Sequence, residues 1–366
     1  MFDIDFFMAT HHLKERILNN DVSFEEVERE MEALRNTKPY IFNVETTNAC
    51  NMTCVMCPRT SLMKRSITTL ESQEFSRIIS QSQVHDDKKL ESFWEFVKGS
   101  YGITFEQRSE NAFYFHIVAK HLILHGYGEP LVDKNIFDRV QACTDLGIPT
   151  YFSCVPANIT VEKAERLMHA GLGVLKFSID ALDDEAIKQI RGKHANFEQA
   201  FKTILDVIDM KAAKGYKTII APTMIELRVD DISRQMHMDF LDLWQGKDVF
   251  AYVKSQDNRW YHEEDEALEN RSHYAQQYCE FPWTSLTVMA NGDVVPCTQD
   301  YDAELSFGNI KDMSLEDIWN GEKYKEFRRM HITGTFPAGH KCAERCDQVK
   351  LHSYLDESRS RQVVPG

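Results

Sequence analysis

No stretch of this sequence approaches the ~18 uninterrupted apolar residues that span a bilayer. The N-terminus, MFDIDFFMATHHLKER, places acids and histidines where a secretion signal needs a basic start and an apolar run. The chain is therefore expected in the cytoplasm, with no membrane partner. An excess of positive charge is lacking as well. Lys and Arg number 42 against 57 Asp and Glu, a net charge of −15. A surface this acidic repels phosphate backbones, so no nucleic-acid partner is expected. Compositional bias is also missing: 43% hydrophobic and 27% charged residues exclude collagen, disorder and low complexity for the bulk of the chain. Cysteine is not scarce. Nine cysteines in a reducing compartment point to metal or redox chemistry rather than to disulfides.

The 366 residues suit one large domain or two ordinary ones. Residues 11–35 read as helix, with Ser23 and Glu26 as a capping box. Residues 40–46 read as a strand and 47–65 as a long loop. Residues 82–117 read as an insertion with one helix and a short hairpin. From Lys120 strands and helices alternate: HLILHG, PTYFSC, VLKFSID, KTIIAPT and VFAYVK are strands, separated by helices near 136–146, 160–170, 196–214 and 231–244. Six such units imply a parallel sheet, either an incomplete α/β barrel or an open doubly wound sheet. The acidic run at 262–270 reads as a linker or a solvated helix face. Beyond it, Asn291-Gly292 joins two short alternating runs, the signal of a hairpin turn with positive φ at both positions. A helix capped by Ser314 is expected over 315–329, and residues 352–366 as a frayed tail.

Seven of the nine cysteines fall in two constellations. Cys50, Cys54 and Cys57 form C-x3-C-x2-C in the loop after the first strand. Three thiolates leave one coordination site of a metal centre open, which suits an iron–sulfur cluster. A zinc knuckle completed by a distant ligand, or three unrelated thiols, are the alternatives. Cys279, Cys297, Cys342 and Cys346 make a closed set of four, suited equally to zinc or to an iron–sulfur cluster. Cys143 and Cys154 read as buried small hydrophobes.

The cysteine loop resembles the hallmark of the radical S-adenosylmethionine (SAM) enzymes. The resemblance implies a partial (β/α)6 TIM-like barrel over 40–260, with a 4Fe–4S cluster on the three cysteines and SAM chelated to its open iron. Met56 stands where the family usually has an aromatic residue, which changes the packing near the adenine and leaves the cluster untouched. Tyr127, Gly128 and Glu129, within Gly126-Tyr127-Gly128-Glu129-Pro130, resemble the motif that meets the ammonium of SAM. Ser153, Ser178 and Asp180 stand where the family makes ribose and carboxylate contacts, and Arg191 resembles the arginine that meets the SAM carboxylate. Cys279, twelve residues, Gly292, four residues and Cys297 resemble the opening of a SPASM/Twitch extension. That implies a small hairpin-plus-helix region over 261–351 holding a second, auxiliary 4Fe–4S cluster. Residues 1–39 form an N-terminal helical segment outside the match.

The family's chemistry is reductive cleavage of SAM to a 5′-deoxyadenosyl radical that removes a hydrogen atom from the substrate. An auxiliary cluster suits loss of a second electron, hence oxidation of an alcohol, as in Twitch-type aminocyclitol dehydrogenases. The expected substrate is a small sugar, cyclitol or nucleoside. The alternative is a ribosomal peptide, disfavoured because residues 1–39 are too short for a winged-helix leader-binding domain. A zinc-bearing, non-enzymatic scaffold is a third reading, opposed by the ordered SAM-site matches. A flavodoxin or ferredoxin type electron donor is implied. Glu45, Lys254, Asp257, Asn258, Arg259 and Trp260 are candidate substrate-facing groups or loop decoration, and no catalytic base can be named.

Overall fold

The computed structural model describes residues 1–18, 22–227, 231–255 and 279–344. The chain opens with α1 (Ile4–Ala9), followed by α2 (His11–Leu18) and α3 (Phe24–Leu34) where a single helix is expected over 11–35. The capping box forms: Glu26 N–H donates to Ser23 Oγ (3.2 Å) and Ser23 N–H to Glu26 Oε2 (3.1 Å). This starts α3 afresh at Ser23 and buries Val27 and Met31.

There follow β1 (Ile41–Val44), the short α4 (Pro58–Ser61) and α5 (Ser72–Ile79). The insertion holds two helices, α6 (Asp87–Tyr101) and α7 (Glu110–Lys120), and no strand. Asp86 and Ser109 cap them. The α7 helix is buried on most sides (Ala112, Phe113, Phe115, Ile117, Val118 and Ala119), so its sequence carries no one-sided apolar stripe and reads as irregular. The barrel units continue as β2 (Leu122–Ile123), α8 (Ile136–Asp145), β3 (Thr150–Cys154), α9 (Val161–His169), β4 (Val174–Ser178), α10 (Asp184–Arg191), α11 (Phe197–Lys214), β5 (Ile219–Glu226), α12 (Asp231–Leu243) and β6 (Tyr252–Ser255). The C-terminal part adds α13 (Phe281–Thr284), β7 (Leu286–Val288), β8 (Asp293–Val295), β9 (Gly308–Asn309), α14 (Leu315–Asn320), α15 (Glu322–Thr333) and α16 (Lys341–Glu344). Ser314 caps α14 through Asp317 N–H (3.0 Å), but Gly321 divides the helix expected over 315–329 into two.

One sheet runs through the described residues in the order β6-β5-β4-β3-β2-β1-β7-β8-β9. Strands β1 to β6 are parallel and follow chain order without reversal. A doubly wound sheet reverses its order at a switch point, so the sequential order decides for the α/β-barrel type of winding, with β6 at the edge of the sheet among the described residues. Strand β7 adds in parallel to β1, and β8 and β9 continue antiparallel. The C-terminal strands therefore extend the barrel wall.

Alternation along the strands sorts the two faces. On β4, Leu175 and Phe177 join the cluster beneath the helices and are fully buried. Each contributes roughly 1.5–3 kcal/mol by leaving water. Lys176 and Ser178 face the concave side, as do Tyr151 and Ser153 on β3. Phe113 and Ile117 of α7 pack with Tyr151 and Tyr252 and close the concave side at one end.

The hairpin at 286–295 forms with a different turn from the one predicted. Gly292 has φ of +91°, whereas Asn291 is not left-handed. Gly292 N–H donates to Met289 O (2.9 Å) and Met289 N–H to Asp293 O (2.8 Å), a four-residue turn. The Asn291 side chain donates to Asp293 Oδ2 (2.7 Å) instead. The linker at 262–270, the tail at 352–366, Cys346, and Asp257 through Trp260 lie outside the described residues. No helix among the described residues is long and apolar enough to cross a membrane.

Candidate active site

The loop after β1 carries Cys50, Cys54 and Cys57 and is held by backbone bonds to the end of α10. Thr53 N–H donates to Arg191 O (3.2 Å) and Val55 N–H to Ile190 O (2.9 Å). Arg59 clamps the loop's base, reaching Asn48 O (2.8 Å) and Cys50 O (3.0 Å). Thr60 Oγ1 donates to Cys54 O (2.9 Å). All three cysteines line one cavity of about 380 Å³, within the range of small-molecule sites.

The other wall of that cavity is built by the turn after β2. Gly128 sits against backbone: a Cβ there would lie 2.1 Å from Thr47 O. Only glycine allows this approach. Gly128→Ala is expected to open the turn and destabilise the fold by about 1–3 kcal/mol, seen as a lower denaturant midpoint and weaker SAM binding. An unchanged midpoint would show that the loop gives way freely. Glu129 is buried, with Oε2 accepting Val155 N–H (2.9 Å) and Oε1 accepting Leu131 N–H (3.2 Å). Burial pushes its carboxyl up from 4.5 to about 7. Its folded pKa is raised, so the stability it contributes is full below about 4.5 and is lost as pH rises through about 7. Tyr127 N–H donates to Glu45 Oε1 (3.1 Å), and its hydroxyl donates to Thr298 O (2.6 Å).

Ser153 and Ser178, at adjacent strand ends, share a hydrogen bond of 3.0 Å. Arg191 is buried. It pairs with Asp180, and its Nη1 donates to Cys54 Sγ (3.6 Å), while its Nε has no partner among the described residues. Asp180 stands behind the arginine, accepts Ile225 N–H (3.0 Å), and is not part of the cavity lining. Met56, Tyr127, Gly128, Glu129, Ser153, Ser178 and Arg191 all line the cavity with the three cysteines.

Of the second constellation, Cys279 precedes α13, Cys297 follows β8 and Cys342 lies in α16. Cys279 and Cys297 belong to one apolar cluster, and burial together with these two cysteines raises the Tyr324 hydroxyl. Cys342 lies in the cluster of Tyr127, Tyr301 and Phe327, against which Cys57 also packs. Cys143 and Cys154 are buried, as the sequence predicts; burial pushes the Cys143 thiol up to about 12, and Cys154 also touches the cavity.

Glu45 is a correction. It is fully buried and spoken for: Arg65 grips both its oxygens (2.8 and 3.0 Å), and Tyr127 N–H and Ala290 N–H (3.1 Å each) complete its shell. It braces β1, the cavity wall and the C-terminal hairpin rather than facing substrate. Lys254 does line the cavity. Sequence reasoning missed Lys176, His125 and Glu110, which line it too. For Lys176 a signal existed: a charge two residues before Ser178 in an otherwise apolar strand must share that serine's face.

Three thiols at one cavity fit an iron–sulfur cluster held by three cysteines. Burial pushes the Cys50 thiol up to about 11, so its thiolate requires a metal to displace the proton. Among the described residues, no three His, Cys, Asp or Glu side chains are gathered as they would be round a single ion. A cubane takes its thiolates at wider spacing. The Arg191 Nε, without a partner among the described residues, fits a further anionic ligand.

The sequence matches the Radical SAM superfamily over residues 44–233 and the SPASM iron-sulfur cluster-binding domain over residues 279–347. It is 24% identical to the S-adenosyl-L-methionine-dependent 2-deoxy-scyllo-inosamine dehydrogenase of Niallia circulans, covering 86% of this chain and 94% of that protein. The structure is similar to anSMEcpe with bound AdoMet (TM-score 0.53, 12% identity, 88% of this chain and 94% of that one). It is also similar to Streptococcus suis SuiB bound to precursor peptide SuiA (TM-score 0.51, 12% identity, 89% and 73%). At such identities the structural likenesses speak for the fold alone.

Proposed function

The chain belongs to the radical SAM superfamily, with a SPASM domain, and we propose that it is an oxidoreductase removing two electrons from a small polar molecule such as a sugar, cyclitol or nucleoside. One observation carries this reading. Thr298 and Gln299, directly after Cys297, line the same cavity as Cys50, Cys54 and Cys57, and Tyr127 ties the two parts together through Thr298 O (2.6 Å). The second group of thiols is thus anchored one residue from the cavity that the first group lines, a placement that suits removal of a second electron from a substrate. The similarity to an aminocyclitol dehydrogenase over nearly its whole length supports it.

Membership implies iron–sulfur and SAM. In this reading Cys50, Cys54 and Cys57 would hold a 4Fe–4S cluster that binds SAM, and Cys279, Cys297, Cys342 and Cys346 an auxiliary 4Fe–4S cluster. Bound there, the first cluster and SAM supply a 5′-deoxyadenosyl radical that takes hydrogen from an unactivated C–H bond. The chain's own residues bind and orient. Arg191 offers a guanidinium to the SAM carboxylate. The backbone of Tyr127 to Glu129 meets its amino group, the Ser153–Ser178 pair its ribose, and Met56 packs by its adenine. SAM takes the cysteine end of a cavity of about 380 Å³. The barrel over 40–260 and the auxiliary-cluster region over 261–351 divide the work, and an external flavodoxin or ferredoxin type protein supplies electrons.

The test is anaerobic reconstitution, followed by dithionite and SAM. About eight irons per chain with 5′-deoxyadenosine formed is the expected result. 2-Deoxy-scyllo-inosamine, the compound named for the relative, heads a panel of candidate alcohols. Zinc without SAM cleavage would overturn the reading. About four irons with cleavage would remove the argument for oxidation. Cys297→Ala is expected to retain part of the SAM cleavage and lose the ketone product. Unchanged ketone yield would sink the role given to the second cluster.

A further inference from the structure

Lys176 is an inward-facing residue of β4, on the same face as Ser178 and about 7 Å from it along the strand. It is half-buried and lines the cavity. Its amine lies over the rings of Tyr252 (5.8 Å) and Phe113 (6.0 Å). No hydrogen bond or ion pair engages its side chain among the described residues. Other cations with little-exposed side chains are matched: Arg65 by Glu45, Arg139 by Asp133, Arg191 by Asp180, and Lys211 by Asp248.

A desolvated ammonium with only aromatic faces for company favours losing its proton. Burial lowers Lys176 to about 7, and Lys254 on β6 and Arg191 at the end of α10 push the same way, against Glu110 on α7 and Asp180. His125, Tyr114, Tyr151 and Tyr252 are the further titratable groups facing this part of the cavity. A group of this kind, unpaired among the described residues and facing the cavity, suits proton transfer near neutral pH.

We propose that Lys176 takes the proton from the substrate hydroxyl as the substrate is oxidised, an assignment that rests on the oxidoreductase reading above. The substrate carbon has already lost a hydrogen atom. It then gives one electron to an oxidised iron–sulfur cluster, while the O–H bond breaks and Lys176 Nζ gains the proton. The carbon–oxygen bond becomes a carbonyl, and lysine becomes the ammonium. Oxidation is expected to rise with pH through about 7, as Lys176 loses its proton.

Two measurements test this. The first needs no substrate: competitive acetic anhydride labelling of the cluster-loaded protein from pH 5.5 to 10, read on the Lys176 peptide by mass spectrometry. Half-labelling near pH 7 is expected, and titration alongside surface lysines at about 10.4 would overturn the proposal. The second compares Lys176→Met and Lys176→Arg with wild type on 2-deoxy-scyllo-inosamine and the alcohol panel, following ketone and 5′-deoxyadenosine together. Both variants should lose ketone formation by about 100-fold or more. Arginine keeps the charge but cannot give up its proton, so an active Lys176→Arg would mark a cation anchor and reject the proton acceptor. A wild type that cleaves SAM yet oxidises none of these alcohols counts against the oxidoreductase reading itself and takes this assignment with it. Lys176 labelling that tracks the surface lysines, in a protein that still oxidises one of these alcohols, removes only the Lys176 assignment.

Discussion

Cys57→Ala is expected to reduce 5′-deoxyadenosine formation to background and to remove about four irons per chain. The backbone around Cys57 does not depend on its sulfur. Cys57 N–H donates to Cys54 O (3.2 Å), Thr60 N–H donates to Cys57 O (3.0 Å), and Thr60 Oγ1 holds Cys54 O (2.9 Å). Alanine leaves all of these in place, so the loss reports the thiolate and not the loop. Cys143→Ala is the control. That cysteine is buried on α8 among apolar neighbours, and its replacement should leave iron content unchanged. Iron analysis and chromatography of the SAM products check both. Full iron and full cleavage in the Cys57 variant would remove this loop from the ligand set.

Arg65→Met is expected to destabilise the fold by about 3–5 kcal/mol, the usual cost of leaving a buried charge without its partner. Glu45 has no solvent exposure, and Arg65 supplies both of its charged contacts, at 2.8 and 3.0 Å. Arg65 also reaches Tyr301 O (2.6 Å), so the same side chain ties the cysteine loop to the C-terminal region. The variant should therefore loosen the contact between Tyr127 and Thr298 as well. Denaturant unfolding measures the first effect, and hydrogen exchange at Ala290 and Tyr127, whose amides both donate to Glu45, measures the second. Pairing Arg65→Met with Glu45→Gln should recover part of the loss, because the orphaned charge is then gone. A drop below about 1 kcal/mol would mean that water reaches Glu45 and the brace carries little.

The barrel units were legible because their periods are clean. Helix α11 repeats its apolar residues at helical spacing between an Asn196 cap and Gly215, and β4 alternates without interruption. The insertion was not legible, because α7 is buried on most of its surface and leaves no stripe to read. The turn at Asn291 was misjudged for a related reason. The dipeptide favours left-handed backbone at both residues, yet the Asn291 side chain takes Asp293 as partner and only Gly292 turns left-handed. Glu45 was left open between facing substrate and decorating a loop, and is neither, because local sequence cannot show that Arg65 folds back over it.

The sequence alone determined the cysteine spacing, the strand–helix alternation and the order of the glycine, serine and arginine positions along the barrel, since each is a local pattern in a single stretch of chain. Tertiary structure alone decided that the strands wind in one direction, that β7 joins the wall beside β1, and that Tyr127 joins the cavity to Thr298. It also decided that Lys176 faces that cavity without an ion-pair partner among the described residues. These are pairings between residues far apart in the chain. Which buried charge finds a counter-charge, and which is left for a ligand, depends on what the fold brings opposite it.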